Sequence, residues 1–163
     1  MVISFQTIHY LSFMDYVLLK YAHFFGIILV VGGVFAELWM LKNHMTREEI
    51  KVISKVDGLY GLGSILVVVA GLTLWLSDIG KPPEFYSGTG LVYWKLGIFS
   101  LVGLLSIYPT VFFAKEKLGK KHSEAQEMVQ VPGNMKWVVR LEFLLLLLMP
   151  LIAAFMAQGI SIF

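Results

Sequence analysis

His23 and Lys95 are ionisable groups set inside apolar stretches, and they are the first residues here that could do chemistry. A charge at the centre of a membrane helix costs about 2.5–3.5 kcal/mol on insertion scales, so it ordinarily has a partner or a task. His23 falls eight residues into the first apolar segment, about 12 Å at the helical rise. Lys95 falls four or five residues into the third segment, which enters from the same side, so the two share a leaflet. Lys20 stands one turn before His23, and Tyr93 and Trp94 precede Lys95. Gly26 thins the helix three residues after His23, where a bulky ligand could approach. A neutral imidazole is a good axial ligand for haem iron, and helical bundles build cofactor sites from inward-facing side chains. His23 is therefore the candidate metal and haem b ligand, and Lys95 and Trp94 join it as candidate cofactor-binding residues. The alternative is structural: His23 hydrogen-bonds a neighbouring helix and Lys95 snorkels to the headgroups.

A second group, Glu37, Asp57, Tyr60, Arg140 and Glu142, belongs to the other leaflet. Glu37 is 14 residues beyond His23, which returns it to within about 40° of the same helix face. Two readings stand. Glu37 pairs with Arg140 near the interface and fixes the bundle, or it belongs to a proton or substrate path towards His23. On the second reading Glu37 and Lys95 are candidate catalytic residues. With Ser106, the inner group forms a structural polar cluster.

Helices must hold these residues, and the composition says of what kind. The chain has 163 residues, 58% hydrophobic and 15% charged, with a mean hydropathy of +0.77. An ordinary soluble domain carries roughly 25% charged residues. This chain has too little polar surface to be a soluble enzyme and too much hydrophobicity to be disordered. Without cysteine it has no disulfide, thiolate zinc site or iron–sulfur cluster. A net charge of +2 argues against nucleic acid as a partner. Uncharged runs of 20 residues (58–77), 19 (96–114) and 21 (143–163) are each long enough to cross a bilayer as a helix. The first span is less clean, because only 16 residues separate Lys20 from Glu37. The expected fold is all-α, an integral membrane four-helix bundle in one domain, with spans at about 15–41, 56–78, 91–114 and 137–161. A barrel would need alternating strands of about ten residues.

The connections agree. Thr46-Arg47-Glu48-Glu49 reads as a capping box that starts the second helix before the membrane. Residues 80–90 are a turn-rich loop among aromatics, and 115–135 a polar linker ending in Pro132-Gly133-Asn134. Lysines and arginines crowd the first loop (Lys42, Arg47, Lys51, Lys55) and the third (Lys115, Lys117, Lys120, Lys121, Lys136, Arg140), against Lys81 alone in the second. The positive-inside rule then puts both termini outside, with residues 1–14 at the outer interface. No cleavable signal is visible at the N-terminus. Small and polar residues line one side of each helix: Asp57, Gly61, Ser64, Gly71 and Trp75 on the second, Lys95 and Ser106 on the third, Glu142, Met149, Ala153 and Met156 on the fourth. His9, His44 and His122 are scattered, and the eight methionines show no relay spacing. Tyr108-Pro109 is expected to kink the third span, with Ser106 and Thr110 satisfying freed carbonyls.

Three segments carry a resemblance: Lys20-Tyr-Ala-His23-Phe-Phe-Gly26 running to Glu37; Asp57-Gly-Leu-Tyr60-Gly61 running to Gly71; and Lys95-Leu96-Gly97 running to Tyr108-Pro109-Thr110. With Arg140-Leu-Glu142 they resemble a bacterial family of four-span membrane proteins of unknown function, over about residues 15–160. That family is distantly similar to the membrane domain of copper-resistance protein D and to the four-helix, oxygen-independent protoporphyrinogen IX oxidase. The oxidase has a first-helix motif Lys-Ala-x-His-x-x-Gly and a third-helix start Gly-Trp-x-x-x-Lys-Leu. This chain has Lys20-Tyr-Ala-His23-Phe-Phe-Gly26 and Gly90-Leu-Val-Tyr-Trp94-Lys95-Leu96. The resemblance implies haem ligation by His23 and a role in activity for Lys95. The chain departs from the oxidase at Trp39, where the oxidase has an arginine, and at Asp57 and Tyr60, which have no counterpart there.

The leading expectation is a haem-b-binding protein of the bacterial inner membrane with an electron-transfer or oxidoreductase role. The competing one is a cofactor-free accessory subunit of a larger membrane complex. A third is a small-solute or metal-ion transporter, which at four spans would need a homodimer to make a path. The lipid bilayer is a partner in all three.

Overall fold

A computed structural model describes residues 5–77, 79, 81–118 and 127–160, with side chains described from residue 13 onward. Lys120, Lys121 and His122, and the last residue of the expected second and fourth spans, lie outside the described residues, as does the side chain of His9. Four long helices dominate: α1 (Phe5–Met40), α2 (Arg47–Leu76), α4 (Leu91–Leu118) and α5 (Met135–Ala157). Each is long and apolar enough to cross a membrane. A short helix α3 (Pro83–Ser87) lies in the turn-rich loop between α2 and α4. Two strands, β1 (His44–Thr46) and β2 (Met128–Gln130), pair antiparallel in the register His44 to Gln130, Met45 to Val129 and Thr46 to Met128.

The helices form a ring, α1 on α2, α2 on α4, α4 on α5 and α5 on α1. The most extensive contact is α1 with α2, and two glycines explain it. A Cβ added at Gly63 would stand 2.7 Å from the Leu29 Cβ and 3.1 Å from the Gly26 carbonyl oxygen. One added at Gly26 would stand 3.0 Å from the Gly63 oxygen. With no hydrophobic drive between helices in lipid, such backbone approach is how they gain contact. Gly61, which the face pattern picked out, has nothing within 4 Å of an added Cβ. The packing stripe of α2 runs instead through Ile53, Asp57, Tyr60, Gly63, Val67 and Ala70. Leucines and isoleucines such as Leu62, Ile65, Leu104 and Leu144 point outward and are more than half exposed, as a lipid-facing surface requires.

The ribbon closes one end of the bundle. Thr46 Oγ1 accepts from the Glu49 amide at 3.2 Å, and Glu49 Oε2 accepts from the Thr46 amide at 2.9 Å, so the capping box forms. The helix begins at Arg47, well before the apolar stretch, as the motif implied. Arg47 donates to Glu127 through Nε at 2.9 Å and Nη2 at 3.3 Å, and through Nη1 to the Glu116 carbonyl at 3.2 Å. That fork ties α2, α4 and the strand linker together. Met45 of the ribbon, and Ile50, Ile53, Phe113, Met135 and Val139 from the helices, are fully buried. In sequence, 115–135 reads as a polar linker, yet β2 lies within it. Only three residues pair on each side, too few for alternation to stand out. The last helix stops at Ala157, short of 161, because Gly159 turns left-handed at φ +69°.

Candidate functional site

The ring leaves a cavity of about 480 Å³ among α1, α2, α4 and α5, towards the α3 end. Its polar side chains are His23 from α1, Lys95 from α4 and the indole of Trp75 from α2; the rest of the wall is mainly aliphatic and aromatic. Its floor is Val30 and Leu146. At the mouth, Trp75 Nε1 donates to Ser87 Oγ at 2.9 Å, and the Trp75 ring meets Tyr93 edge-on at 5.7 Å between centroids. The loop carrying α3 is thereby pinned to the rim.

His23 is held by α2. Its Nδ1 lies 3.1 Å from the Val67 carbonyl oxygen. A carbonyl can only accept, so Nδ1 carries the proton and Nε2 keeps its lone pair. Gly71 allows this pose: a Cβ there would stand 3.0 Å from Cε1 and 3.2 Å from Nδ1 of the ring. The hydrogen bond to a neighbouring helix expected on the structural reading is therefore present, and it uses one nitrogen only. Lys95 lines the same cavity, within electrostatic reach of His23. It has no hydrogen-bond or ion-pair partner among the described residues. Lys20 is exposed and stacks over the Tyr16 ring at 5.0 Å instead. Trp94 does not join the cavity. It is 54% exposed and lines a shallow groove on the outer side of α4 with Gly90, Tyr93 and Gly97. One residue of helix is about 100° of rotation, which separates Trp94 from Lys95.

Below the cavity floor lies a carboxyl layer. Glu37 is 1% exposed and Glu142 is 0% exposed. None of their four carboxylate oxygens has a hydrogen-bond partner among the described residues. Glu37 is within electrostatic reach of both Asp57 and Glu142. Asp57 Oδ1 accepts from Thr110 Oγ1 at 2.7 Å, across from α2 to α4. Thr110 therefore serves the neighbouring helix and not a carbonyl freed by Pro109, while Ser106 Oγ does bond within α4, to the Gly103 carbonyl at 2.8 Å. Tyr60 is buried, interacts with Ser64 and Ser106, and lies within reach of Glu37 and Glu142. A Cβ at Gly33 would meet the Tyr60 Cβ at 2.8 Å, so α1 and α2 nearly touch here.

Five of the six residues grouped from sequence thus share this layer. Arg140 does not: it is exposed and lies over the Trp137 ring at 5.2 Å. The Glu37–Arg140 pair does not form, because Arg140 points out of the ring two residues before Glu142 points in. Sequence reasoning missed the Val67 carbonyl, which no side chain announces, and the Thr110 bridge.

Residues 15–161 match the family described as predicted membrane protein, DUF2214. The chain belongs to that family. The cavity and the carboxyl layer both lie inside the matched region of this DUF2214 protein. Together with four apolar helices, the match makes it an integral membrane protein. No curated protein and no solved structure matches the chain.

Proposed function

We propose that this protein binds haem b through His23 and serves in electron transfer or a redox reaction. The observation that carries the reading is the half-used imidazole. Nδ1 is satisfied by the Val67 carbonyl while Nε2 has no hydrogen-bond partner among the described residues, and the ring lines an apolar cavity. Metal-ligating histidines ordinarily donate their other ring N–H to a carbonyl or carboxylate, which fixes tautomer and orientation.

The residues present fit the group. A cavity of about 480 Å³ lies within the range of cofactor pockets, roughly 300–1,000 Å³. Its walls suit a flat apolar ring, and Lys95 offers a counter-charge for a propionate or an anionic substrate. When bound, haem b supplies a one-electron iron centre. The chain's own residues do the rest. Val67 and Gly71 orient the imidazole, and the aliphatic wall excludes water. Met149 also lines the cavity and, with Lys95, would be within the wall that holds the group. The distant similarity of the His23 and Lys95 segments to the protoporphyrinogen oxidase motifs supports the same reading. The distribution of lysine and arginine supports a bacterial inner-membrane protein, N-out and C-out, with this cavity in the outer leaflet.

The test is an absorption spectrum of protein purified in mild detergent after expression with added haem precursor, oxidised and then dithionite-reduced. A Soret band with b-type bands on reduction, lost in a folded His23→Ala variant, is the expected result. Colourless protein overturns the haem reading and favours an accessory subunit, while an unaltered His23→Ala spectrum overturns the ligand assignment.

A further inference from the structure

The carboxyl layer is not needed to hold a cofactor in the cavity above it, so its arrangement calls for its own account. Glu142 is one turn of α5 below Leu146 at the cavity floor, and Glu37 is two turns of α1 below Val30. On the other side lie Leu41, Met45, Phe113, Met135 and Val139, all buried. The two carboxyls are therefore sealed between apolar layers. Buried polar atoms are satisfied in the great majority of proteins, and each exception wants a reason such as an ion or a catalytic role. Here two side chains, both more than nine-tenths buried, leave all four oxygens without a partner among the described residues.

A cation is what such a pair can take. The described residues hold no group of three or more histidine, cysteine, aspartate or glutamate side chains able to bind a metal ion. The groups that face the pair are few. From α1 there is Glu37, and from α2 Asp57 and Tyr60. From α4 come the hydroxyls of Ser106 and Thr110, and from α5 Glu142 itself. None is a base with a positive charge, and Arg140 faces outward. Two unpartnered carboxylates within electrostatic reach of each other in a low dielectric repel, as in carboxyl dyads that share a proton.

We propose that Glu37 and Glu142 form a buried proton-binding site, which takes up and releases a proton within the bundle. Tyr60 is a positioning residue for it, pressed on Gly33 and touching both serines. Asp57 is the third carboxyl of the layer, held to α4 by Thr110. The site does not depend on haem in the cavity.

The experiment is infrared difference spectroscopy of the full chain in nanodiscs, titrated across neutral pH in the absence of added haem. The carbonyl stretch of a protonated carboxyl is resolved from the amide bands and shifts in deuterated water. The expected result is such a band in the wild type, reduced in Glu37→Gln and in Glu142→Gln, and lost in the double variant. Glu48→Gln, on the polar first turn of α2, leaves it unchanged. Glutamine is isosteric, and circular dichroism checks that each variant is folded. If the variants fail to fold, the wild-type titration still decides, because a band absent throughout overturns the proposal. A band that survives in the folded double variant also overturns it. Displacement of the band by sodium, but not by choline, overturns it in favour of a metal cation.

Discussion

The two polar levels of this bundle are built on the same four helices, yet one is open and the other closed. At the cavity level the residues facing inward alternate between large and small. Gly71 lies under the His23 ring, and Ala153 and Ala154 line the wall from α5. At the carboxyl level Tyr60 is pressed on Gly33, and Val34 and Val102 are fully buried. The polar groups follow the space. His23 and Lys95 line a cavity, and neither His23 Nε2 nor the Lys95 amine has a hydrogen-bond partner among the described residues. Glu37 and Glu142 are 1% and 0% exposed and line neither that cavity nor the groove on α4, and the ligand we propose for them is a proton. The difference teaches that depth in the membrane does not by itself assign a task to a buried ionisable residue. The volume beside it does.

Changes that move helix backbones break the comparison most. Gly63→Leu places a side chain where even a Cβ would lie 2.7 Å from Leu29 and 3.1 Å from the Gly26 backbone. Overpacking of this kind typically costs about 1–3 kcal/mol, and backbone clashes more. Both levels are expected to collapse together, seen as lost thermal unfolding cooperativity in detergent. Gly61→Leu, with open space around it, leaves the transition in place. Equal behaviour of the two variants would remove the α1–α2 contact as the frame of both sites.

Smaller changes separate the levels. Thr110→Val removes the hydroxyl that Asp57 accepts from and leaves the buried Asp57 carboxylate without it. The expected loss is about 1–3 kcal/mol, read by thermal unfolding, with no effect on the cavity. Gly71→Ala puts a methyl group 3.0–3.2 Å from the imidazole. The ring can tilt away, so stability is expected to change by less than about 1 kcal/mol while haem affinity falls. A Gly71→Ala protein that binds as well as the wild type would mean that the pose of His23 against α2 does not matter to the ligand.

Much of the fold was legible because its signal is long. Twenty apolar residues in a row, and a Thr-x-x-Glu pair before one of them, leave little choice of structure. The three-residue strands and the five-residue α3 were not legible, since each is shorter than any period that could reveal it. The same holds for the sites. His23, Lys95, Glu37 and Glu142 stand out by type, being ionisable in apolar surroundings. Which of their neighbours face them depends on rotation about the helix axis. From Asp57 the sequence pattern steps by four and then three, to Gly61 and Ser64, whereas the buried α2 stripe steps by three and three, to Tyr60 and Gly63. Trp94 was grouped with Lys95 by adjacency in the chain, where rotation parts them. Depth alone groups Arg140 with Glu142, and Arg140 lies on the outside.

The central claim is that the cavity level takes a ligand through His23 and the carboxyl level does not take part in holding it. Titration of haemin into purified, haem-free protein in nanodiscs tests it directly, followed by the Soret change. The account predicts saturable binding in the wild type and in Glu37→Gln/Glu142→Gln, and its loss in folded His23→Ala. Identical curves for the wild type and His23→Ala, or a loss confined to the carboxyl variant, would contradict it.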